Sequence, residues 1–409
     1  MSTDAFILSN ARIFTPHDQG VPLRGAKSAS VREYRELLVE EGRVAELSES
    51  GFKGRNIPRL DCGGALVTPG LVDPHTHAVY GGSRENELPL KLAGADYMEI
   101  HRAGGGIAST VRATRAANSE SLLEKAKNDL KEMQRLGVTT VEIKSGYGLD
   151  FETEIKTLEI IRSLQESMDM NIVSTFMGAH SIPEEYKGNT AGYIEFQIKE
   201  IMPKIADMGL AEFCDVFCEE GVFSIEETRE IFKAARKLGF KLKIHADEIV
   251  SLGGAELAAE MKLTSADHLM AVSDAGIQAL SAPGAPVAVL LPGTSFYLRQ
   301  NYAPARRMLD SGVAVALASD YNPGSCPSLN MQFILNLAYL YLRMRPEEIL
   351  SAATLNAAYA VDRAKRVGSL DVGKDADFVI WNADNLEYPL YRFGQNLVKS
   401  VYRQGRKII

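Results

Sequence analysis

The sequence has little cysteine, a single tryptophan and no long apolar run, and each shortage narrows what the chain can be. Four cysteines, Cys62, Cys214, Cys218 and Cys326, are scattered over 409 residues with no C-x-x-C pair. That spacing speaks against a disulfide framework or a zinc knuckle and fits reduced thiols in a cytoplasmic protein. No stretch approaches the roughly 18 consecutive apolar residues of a bilayer span. The opening MSTDAFILSNARIF lacks a basic leader and has too short an apolar core for a signal peptide, so none is expected. Positive charge is not in excess either: 53 acidic residues outnumber 45 basic ones, for a net charge of −8 with no long run of either sign. A general binder of nucleic acid or anionic membranes is therefore not expected.

What is present reads as a soluble enzyme. Apolar residues make up 45% and charged residues 24%, ordinary values for a globular chain long enough for one large α/β domain and a smaller one. Both ends are β-rich. AFILSNARIF (5–14) reads as a strand and YRELLVEEGRVAEL (34–47) as a hairpin turning near Glu41-Gly42. At the other end, DADFVIWNA (375–383) is a strand, and NLVKSVYRQGRKII (396–409) is two strands turning at Gln404-Gly405. The middle alternates strand and helix. Strand candidates are Leu66–Val72, Thr139–Ile143, Ile172–Met177, Phe213–Phe217, Leu242–Ile244, Ala266–Leu269, Val287–Leu291 and Val313–Ala318. Helices between them carry caps: a capping box is expected at Ser121 with a stop at Gly137, and another at Ser224 with a stop at Gly239.

Near-continuous apolar strands alternating with amphipathic helices indicate a parallel sheet covered by helices. Eight such units, with no G-x-G-x-x-G after the first strand, favour a distorted (β/α)8 barrel over a doubly wound sheet. The expected organisation is a barrel over residues 66–366. A small β-sandwich domain would be built from both chain ends, residues 1–65 and 367–409.

Active sites of such barrels lie at the C-terminal ends of the strands. Five of the seven histidines fall there: His75, His77, His180, His245 and His268. His75 and His77, in LVTPGLVDPHTH (66–77), are spaced two apart, so an extended backbone turns both imidazoles to one face. With His245 and Asp320 from later strand ends they offer three nitrogens and one oxygen to a transition metal, leaving a position open for water. Glu248, three residues past His245, is placed to accept a proton from that water, and His268 to hydrogen-bond the water or a developing oxyanion. Asp267, next to His268 on the same strand, is expected to face away. Lys144 reads as a salt-bridging residue at a strand end, and His17 and His101 as loop residues without chemistry.

TPGLVDPHTH, HADE, ADHL, ASDYNPGS and the GSLDVGKDADFVIW tail resemble the amidohydrolase superfamily. More narrowly, HTHAVYGGSREN, GGGIASTVRATR, EIKSGYGLD, TFMGAH and SDYNPGS are similar to the imidazolonepropionase family of histidine degradation, and the likeness covers almost the whole chain. The resemblance implies hydrolysis of the ring C–N amide bond of 4-imidazolone-5-propanoate to N-formimidoyl-L-glutamate, with one zinc or iron ion per subunit. It implies metal ligation by His75, His77, His245 and Asp320, catalysis by Glu248 with His268 assisting, and substrate binding by Arg84, Tyr147, His180, Asn322, Gly324 and Ser325. An arginine suits the propionate carboxylate, because its planar fork binds carboxylates through two bonds. A small-molecule substrate, no nucleic acid and no membrane are expected; a homodimer is suggested only by how common such assemblies are.

Three other readings compete. A mononuclear deaminase of an aromatic ring shares the ligand set, but a neutral base gives Arg84 no carboxylate to bind. A non-catalytic relative serving assembly would usually have lost a ligand, and this chain keeps all four. A two-metal site bridged by a lysine on the fourth strand is disfavoured, since FCDVFCEE has none, although Glu219 or Glu220 are conceivable substitutes.

Overall fold

The structure is a computed structural model that describes residues 5–94 and 105–409. Its centre is a parallel sheet of eight strands in sequential order. They are Leu71–Asp73, Val138–Lys144, Asn171–Ala179, Phe213–Cys218, Lys241–Ala246, Ser265–His268, Val287–Leu290 and Val315–Leu317. The second and fourth are buried along nearly their full length, as strands covered by helices must be. This is the expected barrel, and its distortion has a definite location. Among the described residues no ladder joins the first strand to the eighth. That seam is closed by the buried Asp73 carboxylate, which accepts hydrogen bonds from Ser319 N (3.0 Å) and Ser319 Oγ (2.5 Å). Beyond it, Asp320 N donates to His75 O (3.1 Å) and His77 N to Tyr321 O (2.9 Å).

The helix signals hold with one correction. Helix Ile225–Lys237 opens on Ser224 with both halves of a capping box, and Gly239 (φ 91°) follows its end. Helix Ser119–Arg135, however, starts two residues before the expected box: the Asn118 side chain accepts from Ser121 N (2.8 Å), so Ser121 is inside the first turn. An Asn oxygen reaches that amide as well as a serine oxygen does.

The chain ends form two further sheets. One has the order Arg43–Ser48, Glu36–Glu40, Phe6–Ser9, Arg59–Asp61. The other has the order Arg406–Lys407, Val398–Arg403, Phe378–Trp381, Leu66–Pro69, Arg12–Pro16, Val31–Tyr34. Leu8, Ile13, Val39, Val67, Phe378 and Ile380 from both sheets share one buried apolar cluster, which makes the pair a sandwich. The expected strand 5–14 is two strands, broken at Asn10 (φ 50°), so that each half joins a different sheet. The hairpin turns fall at Glu41-Gly42 and Gln404-Gly405, each with two positive φ angles.

The expected first barrel strand, Leu66–Val72, is likewise two strands. Leu66–Pro69 pairs with Phe378–Trp381 and Arg12–Pro16 in the sandwich, and only Leu71–Asp73 enters the barrel. Gly70 is the crossing point, and a Cβ there would lie 2.2 Å from Thr139 Oγ1. The lone tryptophan seals this crossing: Trp381 Nε1 donates to Thr68 Oγ1 at 2.9 Å. Among the described residues no helix is long and apolar enough to cross a membrane.

Candidate metal centre

The seam and the strands beside it bring the histidines together. His75, His77 and Asp320 offer ligand atoms that all lie within 4.8 Å of one another, and so do His75, His245 and His268. His75 Nε2 is 3.5 Å and His77 Nε2 3.9 Å from Asp320 Oδ1. The rings of His75 and His245 have centroids 4.4 Å apart. All five residues are buried. His75 Nε2, His77 Nδ1 and His245 Nε2 have no hydrogen-bond partner there. Leaving a buried polar atom unpaired costs about 1–3 kcal/mol, and the unpaired Nε2 atoms of His75 and His245, in a triad whose ligand atoms lie within 4.8 Å of one another, fit a cation held by neutral imidazoles. Burial first, and then the charge of Lys144 for His75 and of His180 for His77, hold both imidazoles well below the usual histidine range. Both therefore keep a lone pair for an ion at neutral pH.

The backbone bends sharply where these side chains leave their strands. His268 (φ 77°) and Asp320 (φ 57°) are left-handed, as is Asp247 (φ 48°) just before Glu248. Non-glycine residues in this region are strained and cluster at functional sites. The bend at His268 corrects the expectation that Asp267 faces away. Asp267 Oδ2 lies 2.7 Å from His75 Nδ1, one step behind the candidate ligand, while His268 also turns inward. Strict alternation fails because the pleat ends at His268.

Sequence reasoning missed several carboxylates that position this cluster. Asp215 Oδ1 lies 3.1 Å from His245 Nδ1. Asp320 Oδ2 accepts from Thr294 Oγ1 (2.5 Å) and Ser325 Oγ (3.1 Å). Asp247 accepts from the amides of Leu252, Gly253, Gly254 and Ala255, and Glu219 from those of Ile249 (2.8 Å) and Val250 (3.3 Å), so both hold the loop that carries Glu248. Of the two conceivable substitutes for a bridging lysine, Glu219 is thus turned to that loop, and Glu220 is exposed. Glu248 Oε1 stands 3.7 Å from His268 Nδ1. Burial, then the charges of Asp320 and Glu219, push the Glu248 carboxyl up to about 8.

The remaining candidates ring the same centre. His180 stacks on His77 (centroids 4.8 Å, 18°) and its Nδ1 lies 3.0 Å from Gly146 O. Burial, then His245, pull its imidazole down to about 3. Tyr147 packs between His180 (5.1 Å) and His77 (5.7 Å). Its loop is shaped by Glu154, whose Oε1 accepts from Gly146, Gly148 and Leu149 amides. Arg84 is not isolated: Nε and Nη2 donate to Glu87 at 2.8 and 3.0 Å. Its Nη1 lies against Gly324, where a Cβ would come within 2.2 Å. Asn322 is occupied within its own turn, giving both amide hydrogens to Asp320 O and Ser325 Oγ and accepting from Gly324 N and Ser325 N. Lys144 is salt-bridged, as expected. His17 pairs with Asp371 at 2.6 Å, far along the chain from these loops, and His101 lies outside the described residues.

A model of the amidohydrolase family matches residues 66–408. An imidazolonepropionase of Alkaliphilus oremlandii is 50% identical over 422 aligned positions, covering 100% of this chain and 99% of the relative. One from Treponema denticola is 53% identical, covering 91% of each chain. The chain belongs to the imidazolonepropionase family, within the amidohydrolases. Members of the wider family are metal-dependent hydrolases, in keeping with the histidine cluster. A solved 5-methylcytosine deaminase from Klebsiella pneumoniae superposes with a TM-score of 0.74 at 16% identity, covering 98% of this chain and 97% of that one. At that identity the likeness concerns the fold alone, and it gives the deaminase reading no support over the imidazolonepropionase one.

Proposed function

We propose that this enzyme opens the ring of 4-imidazolone-5-propanoate at its C–N amide bond, giving N-formimidoyl-L-glutamate in histidine breakdown, and that it does so in the cytoplasm. One observation carries the reading. His75 belongs to two buried triads, one with His77 and Asp320 and one with His245 and His268, and Arg84 lies against Gly324 in the turn after Asp320, in a chain half identical to imidazolonepropionases along its whole length. His75, His77, His245 and Asp320 would hold one zinc or iron ion per subunit, both metals accepting imidazole and carboxylate ligands. When bound, the ion supplies Lewis acidity to the ring carbonyl and to water.

The chain's own residues do the rest. Glu248 accepts the proton of the attacking water and returns it to the departing ring nitrogen, a transfer its loop is braced for by Glu219 and Asp247. Burial and the neighbouring acids raise its carboxyl, and its carboxylate form would be favoured once His75, His77, His245 and Asp320 held an ion. His268 has no hydrogen-bond partner at either ring nitrogen and serves the carbonyl oxygen as charge develops. Arg84 meets the propionate through the side of its guanidinium that includes Nη1, since Glu87 occupies the other edge. Tyr147, His180 and Ser325 line the ring and carboxylate. Gly324 lets the substrate and Arg84 approach the backbone, and Asn322 acts by fixing that turn.

The experiment is a direct assay. The purified protein should remove the ultraviolet absorbance of imidazolone propionate without releasing ammonia, and a chelator should stop it. Ammonia release from guanine or cytosine, with imidazolone propionate untouched, would replace this reading with the deaminase one.

A further inference from the structure

Beneath the candidate metal centre the barrel interior is charged. Glu142, Lys144, Asp215, Lys243 and Asp267 project inward from the second, fourth, fifth and sixth strands, and every one is wholly buried. Barrel interiors at this depth are usually filled by branched apolar side chains. Lys144 is at the middle of the group. Its Nζ donates to Glu142 Oε1 (2.9 Å) and Asp215 Oδ2 (2.7 Å), and lies 3.9 Å from Asp267 Oδ2. Lys243 Nζ donates to Pro74 O (2.8 Å), directly before His75, and lies 3.6 Å from Asp267 Oδ2.

The two aspartates that Lys144 approaches are those that face candidate ligands. Asp215 meets Nδ1 of His245, and Asp267 meets Nδ1 of His75. A carboxylate on Nδ1 sets both the tautomer and the ring orientation, leaving Nε2 as the ligand atom. The Nε2 atoms of both histidines are the ones left without a hydrogen-bond partner. We propose that Lys144 is a positioning residue for the metal centre: one buried ammonium holds Asp215 and Asp267 in place, and they aim His245 and His75 at a common point. The proposal rests on the reading of His75, His77, His245 and Asp320 as the ligands.

The geometry explains why a lysine is needed there. Three carboxylates face two ammonium groups in a space without solvent. Removing Lys144 leaves Asp215 Oδ2 without its cation and leaves the Asp215–Asp267 repulsion less compensated, so both carboxylates move and the imidazoles follow. A lysine that served only to plug the barrel would lower stability on removal without changing how an ion is held.

Lys144→Met separates these roles. Wild-type and variant proteins are stripped of metal and titrated with zinc, and the cobalt-loaded forms are examined in the visible range. Lys144→Met is expected to bind zinc ~10–100-fold more weakly, the usual effect of losing a group that orients a ligand, and to shift the cobalt bands. An unchanged zinc Kd together with an unchanged cobalt spectrum overturns the proposal, whatever happens to Tm. Should Lys144→Met fail to fold, Asp267→Asn takes its place, because it keeps an oxygen for His75 and removes the charge that Lys144 and Lys243 face. Weaker zinc binding supports the proposal there too, and wild-type affinity overturns it. A wild-type protein that takes up no ion would instead refute the ligand assignment itself.

Discussion

The barrel interior under the histidines and the core of the β-sandwich are equally sealed from water, yet they are built from opposite chemistry. The first is Glu142, Lys144, Thr175, Asp215, Lys243 and Asp267; the second is Leu8, Ile13, Val39, Val67, Phe378 and Ile380. Burying a large apolar side chain stabilises a fold by about 1.5–3 kcal/mol. A buried ion cluster is close to neutral against apolar residues of the same volume, because desolvation offsets the attraction between charges. Stability thus accounts for the sandwich core, whereas the charged layer is better explained by what lies above it. Its carboxylates reach up to His75 and His245.

That contrast can be broken by exchanging the effects of substitutions in the two regions. His245→Ala should abolish both ion binding and turnover while the protein still folds, as read by metal analysis and the absorbance assay. A variant that kept a full complement of metal would remove His245 from the ligand set. Phe378→Ala, in the sandwich core and stacked on Tyr402 at 4.5 Å, should do the reverse. Stability should fall by about 3–5 kcal/mol in denaturant titration, with kcat unchanged in the protein that remains folded. A drop in kcat matching the loss of stability would show that the two regions are not separable. Arg84→Ala sharpens the barrel side. It should retain the ion and raise KM ~10–100-fold with a smaller change in kcat, because a carboxylate remote from the reacting bond contributes mostly uniform binding. Loss of the ion would give Arg84 a different role.

The strand-end histidines were legible because a parallel barrel puts every strand's C-terminal end on one face. The alternation of strand and helix was strong enough to count eight strands. Where the sequence misled, a local bend had overridden a periodic rule. Alternation predicts that Asp267 faces outward because it assumes a regular pleat, and His268 breaks that pleat. Leu66–Val72 looked continuous because Pro69-Gly70 can end a strand or merely kink it, and partners distant in sequence decide which. The charged layer does have a signal in the sequence. Glu142 and Lys144 are two apart on one strand, and Lys243 is two before His245 on another, so each pair shares a face inside the barrel. Asp215, one acid within FCDVFC, carried the same message. The Arg84–Glu87 pair sat at a readable spacing of three, but nothing in the sequence told which edge of the guanidinium it would occupy.

The mildest test lies at the boundary between the two regions and depends on pH. Asp377 is buried just before the strand Phe378–Trp381, and its Oδ1 accepts from Gln404 N at 2.7 Å. Burial pushes its carboxyl up to about 7 from an ordinary 3.8, against the pull of that amide and of Arg403. A carboxyl raised on folding binds a proton more tightly in the native than in the unfolded chain. Its contribution to stability is therefore full below about pH 4 and is lost as pH rises through 7. Asp377→Asn keeps an oxygen for Gln404 and removes the titration. The variant's Tm should accordingly fall less than that of the wild type between pH 5 and pH 8, or rise, with kcat unaffected. Parallel Tm curves would mean that Asp377 keeps its charge in the folded protein, and the sandwich would then hold a buried anion as the barrel does.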